Sequence, residues 1–217
     1  MVPDRKPAKG DLRVFLTLES LQPQFAAYLG TPTRARGYPP YAGQHALIIE
    51  VAPGLMIERV IDLALKADPD LEPGILFVER QFGILEIHGS DKDKLMAAGR
   101  AVLKGMALTE GDQLAPRILF TDVIENIADQ HAVIINRNRQ ASMVMPGETL
   151  LVCEMVPALY AAIAANQAEK VAPKLTLVDV QMIGAAGRLY MSGSTADVER
   201  GLAEIERVLA GLKGRQA

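Results

Sequence analysis

Hydrophobic and polar positions along the chain follow one order, and the order occurs twice. Arg13-Val-Phe-Leu-Thr-Leu18 is a β-rich run, and Gln22 to Leu29 is short and apolar enough for a helical turn or two. Thr31 to Gln44, with its prolines, glycines and threonines, predicts an irregular surface loop. Ala46 to Val51 then reads as a buried strand ended by Pro53-Gly54. After it Leu55, Val60, Ile61, Leu63 and Ala64 recur at helical spacing. Ile75 to Glu79 and Ile84 to His88 predict two strands joined by a loop centred on Arg80-Gln-Phe-Gly83, and Asp91 is placed to cap a helix running to about Leu108.

A shift of 104 residues, taking Glu50 to Glu154, lays the second half on the first. It pairs Arg13 with Arg117, Gly43 with Gly147, Pro53 with Pro157, Lys66 with Lys170, Gly83 with Gly187 and Asp93 with Asp197, with no gap in the alignment. The second half therefore predicts a strand Arg117 to Thr121, a helical Val123 to Ala128 and a strand Thr149 to Met155. A helix Ala158 to Val171, strands at Leu175–Val180 and Arg188–Met191, and a last helix from about Ala196 complete it. So long a period is a domain duplication rather than a solenoid. The expected fold is α/β (α+β): two tandem domains, residues 12–115 and 116–217 after a disordered tail of residues 1–11, each a small sheet with helices on one face.

Composition narrows what such a molecule can do. A chain of 217 residues with 49% hydrophobic content can bury two modest cores, and its net charge of −3 with interspersed signs offers no stripe for a phosphate backbone. Nucleic acid is excluded as a partner on that ground. The polar, proline-containing start lacks the apolar core of a signal peptide, and no apolar run approaches the roughly 20 residues that span a bilayer, so a cytosolic protein without a membrane partner is expected. Cys153, the sole cysteine, sits between apolar neighbours in a strand and reads as a small buried hydrophobe.

Convergent catalytic groups are not in view. His45, His88 and His131 are isolated and read as surface or sheet histidines, Asp68 to Glu72 as a turn, and Gly184-Ala-Ala-Gly187 as a small-residue turn between strands. No enzyme activity, metal or cofactor is expected. One contrast stands out: Glu79-Arg-Gln-Phe-Gly83 is charged and bulky where Ile183-Gly-Ala-Ala-Gly187 is small and neutral. Two ordinary surface hairpins, or one functional and one passive loop, both fit.

Ala46-Leu-Ile-Ile-Glu-Val-Ala-Pro-Gly-Leu55, Asp62-Leu-Ala-Leu-Lys-Ala67 and the strand–glycine–strand that follows resemble the bacterial microcompartment shell domain, as do Leu150-Leu-Val-Cys-Glu-Met-Val-Pro-Ala158, Ala168-Glu-Lys-Val171 and Gly187-Arg-Leu189. The leading strand of each half, with Ser20-Leu-Gln-Pro-Gln24, Val78-Glu-Arg80, Phe82-Gly83 and Ile135-Asn-Arg137, resembles the circularly permuted tandem version found in carboxysome shell trimers. The resemblance implies a homotrimeric pseudohexagonal tile of a protein shell around carbon-fixing enzymes, stacking of two trimers face to face, and contact with other shell proteins. It further implies a central pore gated by Glu79 and Arg80 and lined by Gln81, Phe82, Gly83, Ile183, Gly184, Ala185, Ala186 and Gly187. Arg80 groups turned towards the lumen would favour small anionic metabolites by their charge, and the resemblance places Lys66 and Lys170 at the lattice edge. A tile with a permanently shut pore, a tile of a non-carboxysome shell, and an unrelated α/β enzyme are the competing readings.

Overall fold

The structure is a computed structural model that describes residues 10–31 and 37–216. Its first half runs β1 (Asp11–Leu18), α1 (Pro23–Leu29), β2 (His45–Ala52), α2 (Ile57–Ala67), β3 (Glu72–Glu79), β4 (Phe82–Gly89) and α3 (Lys92–Met106). The second runs β5 (Arg117–Ile124), α4 (Asp129–Asn138), β6 (Thr149–Val156), α5 (Tyr160–Val171), β7 (Thr176–Gln181), β8 (Gly187–Gly193) and α6 (Thr195–Gly211). Each half forms a four-stranded antiparallel sheet, ordered β1-β2-β4-β3 and β5-β6-β8-β7. The two-sheet α/β architecture is the one the duplicated pattern predicts, except that the first sheet has helices on both faces, α2 and α3 on one and α5 on the other, where helices on one face were expected.

Three expectations need correction. The repeat is not gapless at its start. Val14 pairs with Glu50 and Phe120 with Glu154, so β1 maps on β5 by a shift of 106 while β2 maps on β6 by 104. The left-handed residues Ser20 and Asn126 obey the same 106. Arg117 thus occupies the place of Asp11, and the counterpart of Arg13 is Leu119: the second connection is two residues shorter, and the pleat, not residue identity, sets the register. Secondly, Val123 and Ile124 finish β5, where β-branched residues fit the pleat. The helix starts at Asp129, whose acid suits a first turn. Thirdly, Asp11 belongs to β1 rather than to a tail, and Arg215 near the other end ion-pairs with it. Residues 1–9, residues 32–36 of the proline-rich loop and residue 217 lie outside the described residues.

The layers explain the burial. One face of the first sheet carries Leu12, Phe15, Leu47, Ile49, Leu85 and Ile87 against α2 and α3. Its other face, with Val14, Leu16, Leu18, Ala46, Ile48 and Ile84, shares a core with α5 and the second sheet. α5 is consequently a central layer. Tyr160 to Asn166, Ala168 and Glu169 are all buried, whereas its counterpart α2 buries only Ile57, Val60 and Ala64. Five alanines keep α5 thin enough for both sheets to approach, and alanine costs a helix nothing in propensity.

Side chains lock the seam. Glu169 accepts from the backbone N–H groups of Gln24 (2.8 Å) and Phe25 (3.0 Å), so an α5 carboxylate caps α1. Gln24 reaches back, donating to the Leu175 carbonyl and accepting from the Leu177 N–H. Gln113, in the connection between the halves, accepts from the Phe15 N–H and the Tyr160 hydroxyl and donates to the Lys213 carbonyl.

Candidate functional site: two hairpin tips and an open sheet face

In the first hairpin pairing runs to its end: Val78 faces Gly83 and Glu79 faces Phe82, leaving Arg80 and Gln81 as a two-residue turn. The four-residue loop expected from sequence is therefore tighter. Arg80 takes φ +50, as such turns require. Its guanidinium stands in solvent at 3.5 Å from the Glu79 carboxylate.

The second hairpin stops pairing at Gln181–Arg188, which leaves Met182 to Ala186 as an open loop with Gly184 at φ +129. The strands are of one design, but the tips are not. Both tips nevertheless meet, since Glu79, Arg80, Gln81 and Phe82 line one concavity of about 310 Å³ together with Gly184 and Ala185.

Two of the expected lining residues belong elsewhere. Gly83 and Gly187 are buried in strands, and a Cβ on them would lie 2.1 Å from the Gly54 carbonyl oxygen and 2.2 Å from that of Ala158, respectively. These matched glycines let β4 and β8 pass close to the turn that leads into α2 or α5. Neither exposes a surface at the tip. Lys66 and Lys170 are exposed in the last turns of α2 and α5, Lys66 bonded to Asp62 at 2.7 Å.

A groove on the outer face of the second sheet was not foreseen. Phe120, Ile124, His131, Ile135, Val152, Cys153, Glu154, Arg188 and Tyr190 line it, with a volume of about 340 Å³. Phe120 is 54% exposed, while Val14, its counterpart, is fully buried by the second half. Only the layer order reveals this, because α5 covers the first sheet, whereas among the described residues the corresponding face of the second sheet has α4 along one side, packed through Ala132 and Ile135, and the groove beside it. Of the histidines, His88 is fully buried against Glu86 (Nδ1–Oε1 3.0 Å), His45 accepts from the Ser20 N–H, and His131 is exposed. Cys153 is buried, and burial pushes its thiol up. Among the described residues no group of three His, Cys, Asp or Glu could hold a metal ion, and no helix is long and apolar enough to cross a membrane.

Residues 12–112 match the family model described as the CsoS1D N-terminal domain. The chain is 42% identical to the carboxysome shell protein CcmP of Synechococcus elongatus over 95% of both chains. With CsoS1D of Prochlorococcus marinus subsp. pastoris it shares 40%, over 92% of this chain and 77% of that one. The chain belongs to the tandem-domain bacterial microcompartment shell proteins. Among solved structures, this shell protein is similar to the double ringed trimeric shell protein MSM0271 from the RMM microcompartment: 60% identity, TM-score 0.92, covering 96% of this chain and all of that one. The fused permuted hexameric shell protein MSM0275 from the same microcompartment shares 47%, with TM-score 0.90, over 95% of this chain and all of that one. The fold and the role of structural shell component thus stand on relatives that match nearly end to end.

Proposed function

We propose that the chain is a homotrimeric, pseudohexagonal tile of a microcompartment shell in the cytoplasm, acting without catalysis, with a gated pore on its axis. The carrying observation is the mismatch between the two sheets. Within the chain, α5 covers the outer face of the first sheet and buries Leu159. The second sheet keeps an open groove, and Leu55, the counterpart of Leu159 beside α2, is 75% exposed. A neighbouring copy that laid its α2 in that groove, as α5 lies on the first sheet, would repeat the internal contact head to tail. Such a heterologous contact closes into a ring, and alternating halves give three chains. Mass measurement under native conditions should show three times the 23.4 kDa chain, or two such trimers. A stable single-chain species at micromolar concentration would overturn the reading, and Phe120→Glu should dissociate the trimer.

Repeated around the axis, the two kinds of tip would alternate at the centre. Among the described residues that line the shared concavity, Glu79 and Arg80 are the charged ones, so the first hairpin supplies the gate and the small second loop a passive rim. Ion pairs between exposed groups are weak, about 0–1 kcal/mol, so two turn orientations lie close in free energy and a ligand can shift them. With Arg80 turned inwards, small anionic metabolites are favoured. Replacing Glu79 and Arg80 together by alanine should raise metabolite flux through assembled shells while the trimer persists; unchanged flux removes the gate. Lys66 and Lys170 stand at matched exposed sites, which supports a lattice-edge role, and changing both to Asp should impair sheets seen by electron microscopy without splitting trimers. Face-to-face stacking and contact with other shell proteins extend the same reading, and MSM0271 is itself described as double ringed.

The carboxysome relatives support a carboxysome shell. A second reading, a tile of a non-carboxysome shell, is favoured by the 60% and 47% identity to the two RMM proteins against 42% and 40% to the two carboxysome proteins. Fluorescent fusion of this chain, imaged beside a tagged carboxylase from the same cells, separates the two by whether the signals coincide.

A further inference from the structure

Behind the first hairpin tip lies a contact that the second half lacks. The β1 ladder skips from Leu12 to Val14, so Arg13 is the bulged residue, and bulges re-aim the side chain they carry. Arg13 lies over the Phe82 ring, its guanidinium carbon 3.7 Å from the centroid. The same guanidinium donates through Nε to Glu50 Oε1 at 2.5 Å, and Glu50 is fully buried on the central strand. The Arg13 carbonyl in turn accepts from the Leu114 N–H of the connection between the halves. Phe82 is the first side chain after the Arg80–Gln81 turn and pairs across the hairpin with Glu79. A rigid chain of contacts thus runs from a buried carboxylate to the base of the turn. In the second half the bulge carries Leu119, the place of Phe82 is taken by Ala186, and Glu154 pairs with Arg188 of its own neighbouring strand.

We propose that Arg13 is a positioning residue for the first hairpin tip, bracing the turn in the orientation seen here by stacking on Phe82 while Glu50 fixes the guanidinium plane. Any reorientation that carries Glu79 and Arg80 across the axis must slide Phe82 off Arg13. The stack therefore sets the balance between the two orientations. This rests on the gate reading, but the brace itself is a local property that can be measured apart from flux.

The test is amide hydrogen exchange on the assembled protein, comparing wild type with Phe82→Leu, which keeps an apolar side chain without a π face, and Arg13→Lys, which keeps a cation beside Glu50 without a plane to stack. Phe82→Leu should speed exchange at the Glu79 and Phe82 amides by about tenfold, the value of a partly desolvated cation–π contact, and Arg13→Lys, whose ammonium keeps part of the attraction, by a smaller but measurable factor. Exchange in β2 and β6 should stay unchanged, which a general loss of stability would not allow. Leu119→Ala, at the second bulge, should leave the Met182 to Ala186 loop as it was. Unaltered exchange at the first tip in both variants overturns the brace. If the brace holds but the Glu79 and Arg80 double alanine variant leaves flux unchanged, the brace stands and the gate reading falls.

Discussion

Glu50 and Glu154 occupy the same place in the two halves, yet one carboxylate is 1% exposed and the other 32%. The first needs a cation delivered by a bulge and sits under a foreign helix; the second pairs with Arg188 across its own sheet at the surface. Duplication has copied strands more faithfully than environments. Each half has a sheet with two faces to cover, and in a single chain α5 buries that face of the first sheet while the second keeps a groove beside α4.

Removing the two arginines separately should give the largest contrast between the halves. Arg13→Ala leaves a buried carboxylate without its cation and should cost about 3 kcal/mol, read from denaturant midpoints, whereas Arg188→Ala should cost about 0–1 kcal/mol. Equal losses would mean that the two environments do not differ energetically. Next in size, Glu169→Ala removes the cap from two α1 N–H groups and should cost about 2 kcal/mol. Leu65→Ala, its half-buried counterpart on α2, should cost less than Glu169→Ala in the isolated chain.

Acidity offers a third probe. Burial holds the Glu50 carboxyl above its ordinary 4.5, with the Arg13 bond offsetting part of the rise, and burial also raises Glu86 against a smaller opposing effect of His88. For a carboxyl raised in the folded state the native chain holds the proton more tightly than the unfolded one. That stabilising contribution is complete below the unfolded value and is lost as pH rises through the folded value. Glu50→Gln should therefore flatten the fall in melting temperature across the range just above 4.5, and an unchanged slope would assign the fall to other groups. The smallest effects belong to the tips: Arg80→Gly relieves φ +50 and should stabilise by about 0.5–1 kcal/mol, while Gly184→Ala at φ +129 should destabilise by about 1 kcal/mol.

Strand and helix order, both hairpins and the Asp91 cap were legible because alternation and capping chemistry are local, and the duplication gave every element a second witness. Asp91 indeed accepts from the Asp93 and Lys94 N–H groups. What escaped was non-local. The two-residue slip between β1 and β5 leaves Arg13 and Arg117 aligned by letter but not by pleat, and α4 sits later than Val123 because a β-branched pair prolonged the strand. Gly83 and Gly187 looked like tip residues, yet they answer to a backbone passing behind them. The groove at Phe120 could not be read at all, since nothing in the residues of β5 says that α5 covers the other sheet. The tip residues Glu79 and Arg80 were legible through the resemblance; their brace, Arg13, needed the bulge.

The alanine-lined α5 has a consequence for how this molecule melts. A helix clasped on both sides cannot be released by one sheet while the other stays intact, and Tyr160 carries that clasp into the connection through its hydroxyl bond to the Leu114 carbonyl. The halves, though duplicated, should unfold together in a single cooperative transition, with calorimetric and van't Hoff enthalpies in agreement. Though built to one plan, neither half is an independent thermodynamic object.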